Sequence, residues 1–272
     1  MAAGHWSLDD IAWERFDPSK VDPDLVKIVK AASMVEYNGG DYAAYLCNVF
    51  ADDPELQEAA RAWAGEEMQT GHALAHRWRL ADERSDFDRS FGRFRDGYKI
   101  PVEANDSVRG SRSGELVARC IVEVGTSSYY ASIGATTEEP VLREICRNIA
   151  ADELRHYKLF YTHLRRYLER EGIGKWKRLA VALSRIGESE DDELAYAFYA
   201  ANENAERPYD RKTYGREYMK RAYACYRPAQ VQRAVAMVFK AAGLNPQSRG
   251  ADLTARAAYG FIRLRGRMLR AA

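Results

Sequence analysis

The chain has 272 residues, 46% of them hydrophobic and 30% charged, with 41 basic against 40 acidic side chains and a formal net charge of +1. That is enough apolar content for one large core or two domains, and the near-neutral balance gives no general electrostatic basis for binding nucleic acid or membrane. No uninterrupted apolar run approaches bilayer-spanning length, and Cys47, Cys120, Cys146 and Cys225 are too dispersed for a Cys-x-x-Cys motif, so a cytoplasmic protein with reduced thiols is expected.

A first helix is expected over about 24–50, where Leu25, Ile28, Val29, Ala32, Val35, Ala43, Leu46 and Phe50 recur at helical steps. Glu36 falls on that apolar stripe, where a buried carboxylate needs a strong partner. Gly39 and Gly40 follow one turn later, either for close helix packing or to leave space beside a site. Past Asp52-Asp53-Pro54 a second helix should run to about residue 80, with Leu56, Trp63, Glu67, Thr70, Leu74 and Trp78 inward. Residues 81–112 are polar, but Phe87, Phe91, Phe94 and Tyr98 keep helical spacing and predict a short amphipathic helix.

The third long helix is expected over about 113–135, with Glu123 on the stripe of Leu116, Cys120, Tyr130 and Ile133. The fourth follows Glu138-Glu139-Pro140 and stops at Gly172, and its stripe passes through Glu153 and His156. Accessory helices are expected over 175–186, 191–201, 208–226, 229–242 and 251–269. Their many tyrosines either pack or serve a redox role. The predicted class is all-α, a single domain with its core over about 24–170 and accessory helices over about 173–272.

Four carboxylates thus lie on inward stripes. Glu36 and Glu67 are 31 positions apart and Glu123 and Glu153 are 30 apart, the pattern of an internal duplication. Glu153 and His156 point to one side of a helix, about 60° from each other. The position three after Glu67 is Thr70, while His72 and His76 lie about 140° and 180° around the helix from Glu67. Inward glutamates on four helices, with Glu-x-x-His, form the ligand pattern of a dinuclear iron or manganese site in a bundle core. Carboxylate oxygens and imidazole suit those ions, and four buried carboxylates without cations would repel one another.

The motifs resemble those of the ferritin-like di-iron superfamily, and most of all its soluble acyl-carrier-protein desaturases. Residues 63–71, Trp-Ala-Gly-Glu-Glu-Met-Gln-Thr-Gly, are similar to the family's Trp-x-x-Glu-Glu-x-x-His-Gly, with Thr70 in place of the histidine. Residues 149–156, Ile-Ala-Ala-Asp-Glu-Leu-Arg-His, match its Ile-Ala-Ala-Asp-Glu-x-Arg-His almost residue for residue. Glu123 followed by Thr126 is similar to a third motif, and the likeness covers roughly residues 25–170.

The resemblance implies a ferritin-like four-helix bundle with a long crossover and additional C-terminal helices. It implies two iron ions, or manganese in their place, held by Glu36, Glu67, Glu123, Glu153 and His156, with Glu67 and Glu153 bridging. Thr126 would stand on the oxygen-binding side. Glu66 would orient His156, and Asp152 would orient the histidine that Thr70 replaces. The implied activity is oxygen-dependent removal of hydrogen from an acyl or other apolar substrate. Its implied partners are an acyl carrier protein and an external electron donor such as ferredoxin, since no flavin, haem or Fe–S motif is present; a homodimer is also expected.

Gly39, Gly40, Gly125, Thr126 and Ser127 either leave a narrow substrate channel or only let helices approach. The basic clusters at 175–178 and 263–270 either receive the acidic carrier or are ordinary surface. Two other classes of function stay open: an iron-oxidising or peroxide-handling protein, and a non-catalytic descendant whose site is degraded at Thr70.

Overall fold

The computed structural model describes residues 5–83, 85–188, 192–203 and 206–271. The described residues are all-α, and none of their helices is long and apolar enough to cross a membrane. The helices are α1 (Pro23–Tyr37), α2 (Gly39–Val49), α3 (Pro54–Ala81), α4 (Phe87–Gly97), α5 (Arg112–Thr136), α6 (Pro140–Glu171), α7 (Lys175–Gly187), α8 (Asp192–Asn202), α9 (Arg211–Cys225), α10 (Pro228–Ala241) and α11 (Arg249–Ala271). Residue 191, the expected start of α8, lies outside the described residues.

The long helices begin where side chains satisfy their orphan N–H groups. Asp22, Asp53, Ser111 and Glu139 cap α1, α3, α5 and α6, and Pro23, Pro54 and Pro140 occupy first-turn positions that lack an intrahelical bond. Gly172 ends α6 with φ +64°, a left-handed conformation that glycine adopts without strain.

The expected single helix over 24–50 is instead broken at Asn38 into α1 and α2. The physical reason is the close approach of α3. A Cβ on Gly39 would stand 2.8 Å from Glu67 Cβ, and one on Gly71 would stand 2.5 Å from the backbone nitrogen of Tyr37. Each helix thus presents a glycine where the other's backbone passes, and the chain turns there. Gly39 serves close packing rather than an opening, while Gly40 is exposed with nothing within 4 Å of a Cβ.

α1 and α2 pack along α3, α5 packs along α6, and the two groups meet where α3 touches α6. Two apolar clusters fill the interior. One takes Ile28 and Met34 of α1, Leu74 and Trp78 of α3, Tyr130 and Ile133 of α5, and Ile145 and Ile149 of α6. The other takes Leu46 of α2, Leu56 and Trp63 of α3, Leu116 and Cys120 of α5, and Phe160 and Leu164 of α6. Glu36, Glu67, Glu123, Glu153 and His156 fall between these sets, so each helix carries its acidic residue where it passes from one cluster to the other. α3 and α5 both run from the second cluster to the first, and residues 82–111 make the return. There α4 lays Phe87, Phe91, Phe94 and Tyr98 in a row of ring contacts.

α8 packs on α1, α9 joins α8 to α11, and α10 lies on α5 beside α11. Tyr199 packs at a tilt against Tyr209 and Tyr214, which stack on each other, as a packing role requires.

Candidate metal centre

Burying a carboxylate in an apolar interior costs several kcal/mol unless a proton or a cation compensates. Here Glu67, Glu123, Glu153 and His156, all buried, bring one ligand atom each within 4.8 Å of one another. His156 Nδ1 lies 3.0 Å from Glu67 Oε1, 3.5 Å from Glu123 Oε2 and 3.9 Å from Glu153 Oε2. These are ion-pair distances without hydrogen-bond geometry. Among the described residues, His156 Nδ1 and both carboxylate oxygens of Glu123 have no hydrogen-bond partner. Buried acceptors are rarely left so. Converging, unpaired oxygen and nitrogen atoms suit a cation that all of them face, and the donor set fits iron or manganese.

The electrostatics without a cation show the same demand. Burial, together with the charge of neighbouring Glu67, pushes the Glu153 and Glu36 carboxyls well above the usual carboxylate range. Glu123 is also raised, chiefly by burial. Burial would raise Glu67 too, but His156 and Glu36 beside it outweigh that and lower it. Burial alone would depress the imidazole of His156, yet the surrounding glutamates push it up. Burial and mutual repulsion thus favour the protonated carboxyls of Glu36, Glu123 and Glu153, a demand that a divalent ion would remove.

The other face of the imidazole is fixed: His156 Nε2 lies 3.0 Å from Glu66 Oε2. This is the orienting contact expected for Glu66, and it leaves Nδ1 toward the cluster. Thr126 donates from Oγ1 to Glu153 Oε2 at 2.7 Å, and it is half-buried where the cluster is not. It thus connects the partly exposed side of α5 to the buried carboxylates. Gly125 beside it is exposed, whereas Ser127 is buried and donates to the Ala150 carbonyl.

Glu36 stands outside the compact group. It accepts a 2.6 Å hydrogen bond from the Tyr130 hydroxyl, a partner that α5 supplies two turns beyond Glu123. Thr70 is buried on the same inward stripe and offers no imidazole. His72 and His76 do not take its place, because their rings pack against Tyr37 and Trp13.

Asp152 was expected to have lost its partner to Thr70. Instead its Oδ2 accepts from Trp6 Nε1 at 2.7 Å and its Oδ1 from Arg155 Nη1 at 2.5 Å. Gln69 in turn holds the Trp6 carbonyl at 2.7 Å, and His5 Nδ1 lies 3.3 Å from Glu66 Oε1. Arg155 also donates to Glu66 at 3.2 Å, which closes a chain Trp6–Asp152–Arg155–Glu66–His156 around the outside of the centre. Sequence reasoning missed Trp6 because residues 5–20 form only short 3-10 turns with no periodicity to read. Tyr130 was within reach, as a hydroxyl on a stripe that already carries a carboxylate.

No protein-family model matches this chain, and no curated protein matches it significantly.

Proposed function

We propose that the chain is a ferritin-like dinuclear carboxylate protein similar to acyl-carrier-protein desaturases, an oxygen-dependent oxidase of an acyl or other apolar substrate. The observation that carries this reading is the buried group of Glu67, Glu123, Glu153 and His156, with the unpaired atoms of Glu123 and His156 facing inward. Two same-direction helices joined by a long return also support a crossover bundle.

Glu67, Glu123, Glu153 and His156 would hold the metal, and Glu36, outside that compact group, would complete the set on the far side. When bound, a reduced iron or manganese pair would supply electrons to dioxygen, and the oxidising power so generated would take hydrogen from an unreactive C–H bond. The chain's own residues do the rest. Glu66 fixes the imidazole through Nε2, and Thr126 holds Glu153 through its hydroxyl on the more accessible side. Trp63, edge-on to His156 and packed on Phe160, excludes water from the centre. Electrons come from an external donor, and an acyl carrier protein delivers the substrate.

A second reading follows from Thr70 and from the Trp6 and Arg155 contacts that occupy Asp152: a non-catalytic ferritin-like protein whose metal site is degraded. Oxygen uptake separates the two. Protein reconstituted anaerobically with ferrous iron should consume oxygen faster when a reductant and a long-chain acyl thioester of carrier protein are added. Metal binding with no oxygen uptake above free iron would leave only the second reading.

A further inference from the structure

The last helix packs in the reverse of the usual way. α11 meets α9 and α10 with Ala251, Ala255 and Gly266 buried and Tyr259, Ile262 and Leu269 half-buried, while Leu253, Phe261, Leu264 and Met268 are 56–69% exposed. At about 100° per residue, these four large apolar side chains share an arc roughly 80° wide and about 22 Å long, with Ala257 in the gap. Arg249, Arg256, Arg263, Arg267 and Arg270, all exposed, share the adjoining arc of about 60° with Asp252. The helix carries six arginines and one aspartate, +5 in a chain whose total is +1. α7, which also packs on α10, exposes Trp176 and Leu183 beside Lys175 and Lys177.

We propose that the outer face of α11 seats on an anionic lipid bilayer, lying in its interface rather than crossing it. Apolar side chains in a line beside a row of arginines match the layering of such a surface, with acyl chains below and phosphates at the level of the guanidinium groups. A second copy of the chain is a poorer occupant, since a face-to-face pairing would bring two helices of +5 together. An acidic protein is also less well matched. The apolar arc holds no hydrogen-bonding side chain to fix a register, and a bilayer requires none. The inference does not depend on the metal centre.

The test is co-sedimentation of the full chain with vesicles of phosphatidylcholine, alone or mixed with phosphatidylserine. The mixed vesicles should bind at least about tenfold more strongly, and added salt should weaken that binding. Phe261→Ser/Leu264→Ser should reduce binding about tenfold or more with unchanged circular dichroism, because both side chains are already exposed. Arg263→Glu/Arg267→Glu should abolish the preference for phosphatidylserine. Equal binding to both vesicles, no binding, or variants that bind like the wild type would overturn the proposal. So would self-association of the wild type that the Phe261→Ser/Leu264→Ser variant loses, since that would make the face a dimer interface.

Discussion

The two ends of the acidic cluster are built from the same parts in different states of completion. At one end Glu123 and His156 face the shared glutamates with unpaired atoms, and Glu66 locks the imidazole from behind. At the other, Glu36 is tied to Tyr130, Thr70 stands three residues after Glu67 where His156 stands three after Glu153, and Asp152 is held by Trp6 and Arg155. Unpaired buried ligand atoms mark a place kept for a cation, and satisfied ones mark a place the protein has closed with its own hydrogen bonds. If the cluster holds metal as proposed, its two ends should therefore bind unevenly, one strongly and one weakly.

The largest expected effect is at the complete end. His156→Ala should weaken binding of the tighter ferrous ion by more than about a hundredfold in anaerobic equilibrium dialysis, since it removes the only nitrogen in the set. Thr70→Val should change that ion's affinity little; an equal loss in both variants would erase the distinction between the ends. Glu66→Gln keeps the shape and weakens the hold on His156, and about 10–100-fold lower affinity is expected. Wild-type affinity in that variant would show that the imidazole needs no orientation.

At the closed end the expected effect falls on stability. Trp6→Phe removes one donor from buried Asp152 and should cost about 1–3 kcal/mol in urea unfolding, with a smaller change in metal affinity than Glu66→Gln. A stability equal to wild type would mean that the first residues of the chain do not brace the centre.

The smallest effect serves as a reference far from both ends. Asp53 caps α3 and accepts from Tyr167 and Arg166; these bonds outweigh the effect of burial and hold its carboxyl below the ordinary value of 3.8. A lowered carboxyl stabilises the fold above its unfolded value, and that contribution disappears as pH falls through the folded value. Asp53→Ala should therefore cost about 1 kcal/mol at neutral pH and progressively less below about pH 4, with metal affinity unchanged. A difference from wild type that stays constant down to pH 2 would rule out the ionised cap.

How much of this was legible in the sequence depends on distance along the chain. The inward stripes, the helix starts at Pro54 and Pro140, the stop at Gly172 and the aromatic row of α4 follow from local sequence signals, and the structure has them. The convergence of Glu67, Glu123, Glu153 and His156 was also readable, because a carboxylate on an apolar stripe must meet compensation somewhere. The break at Asn38 was not, since Gly39 alone cannot tell whether its missing side chain makes room for a ligand or for Glu67. Nor was Trp6, whose contact with Asp152 spans 146 residues and follows no repeat. Thr70 was visible as the missing counterpart of His156, but the partners of Asp152 could be seen only in three dimensions.

The most direct measurement is the number of tightly bound ferrous ions per chain in the wild type and in Thr70→His, after anaerobic reconstitution and removal of loosely held metal. An uneven centre predicts about one ion in the wild type, rising toward two when the imidazole is supplied at position 70. Two tight ions in the wild type, or a count unchanged by Thr70→His, would contradict it.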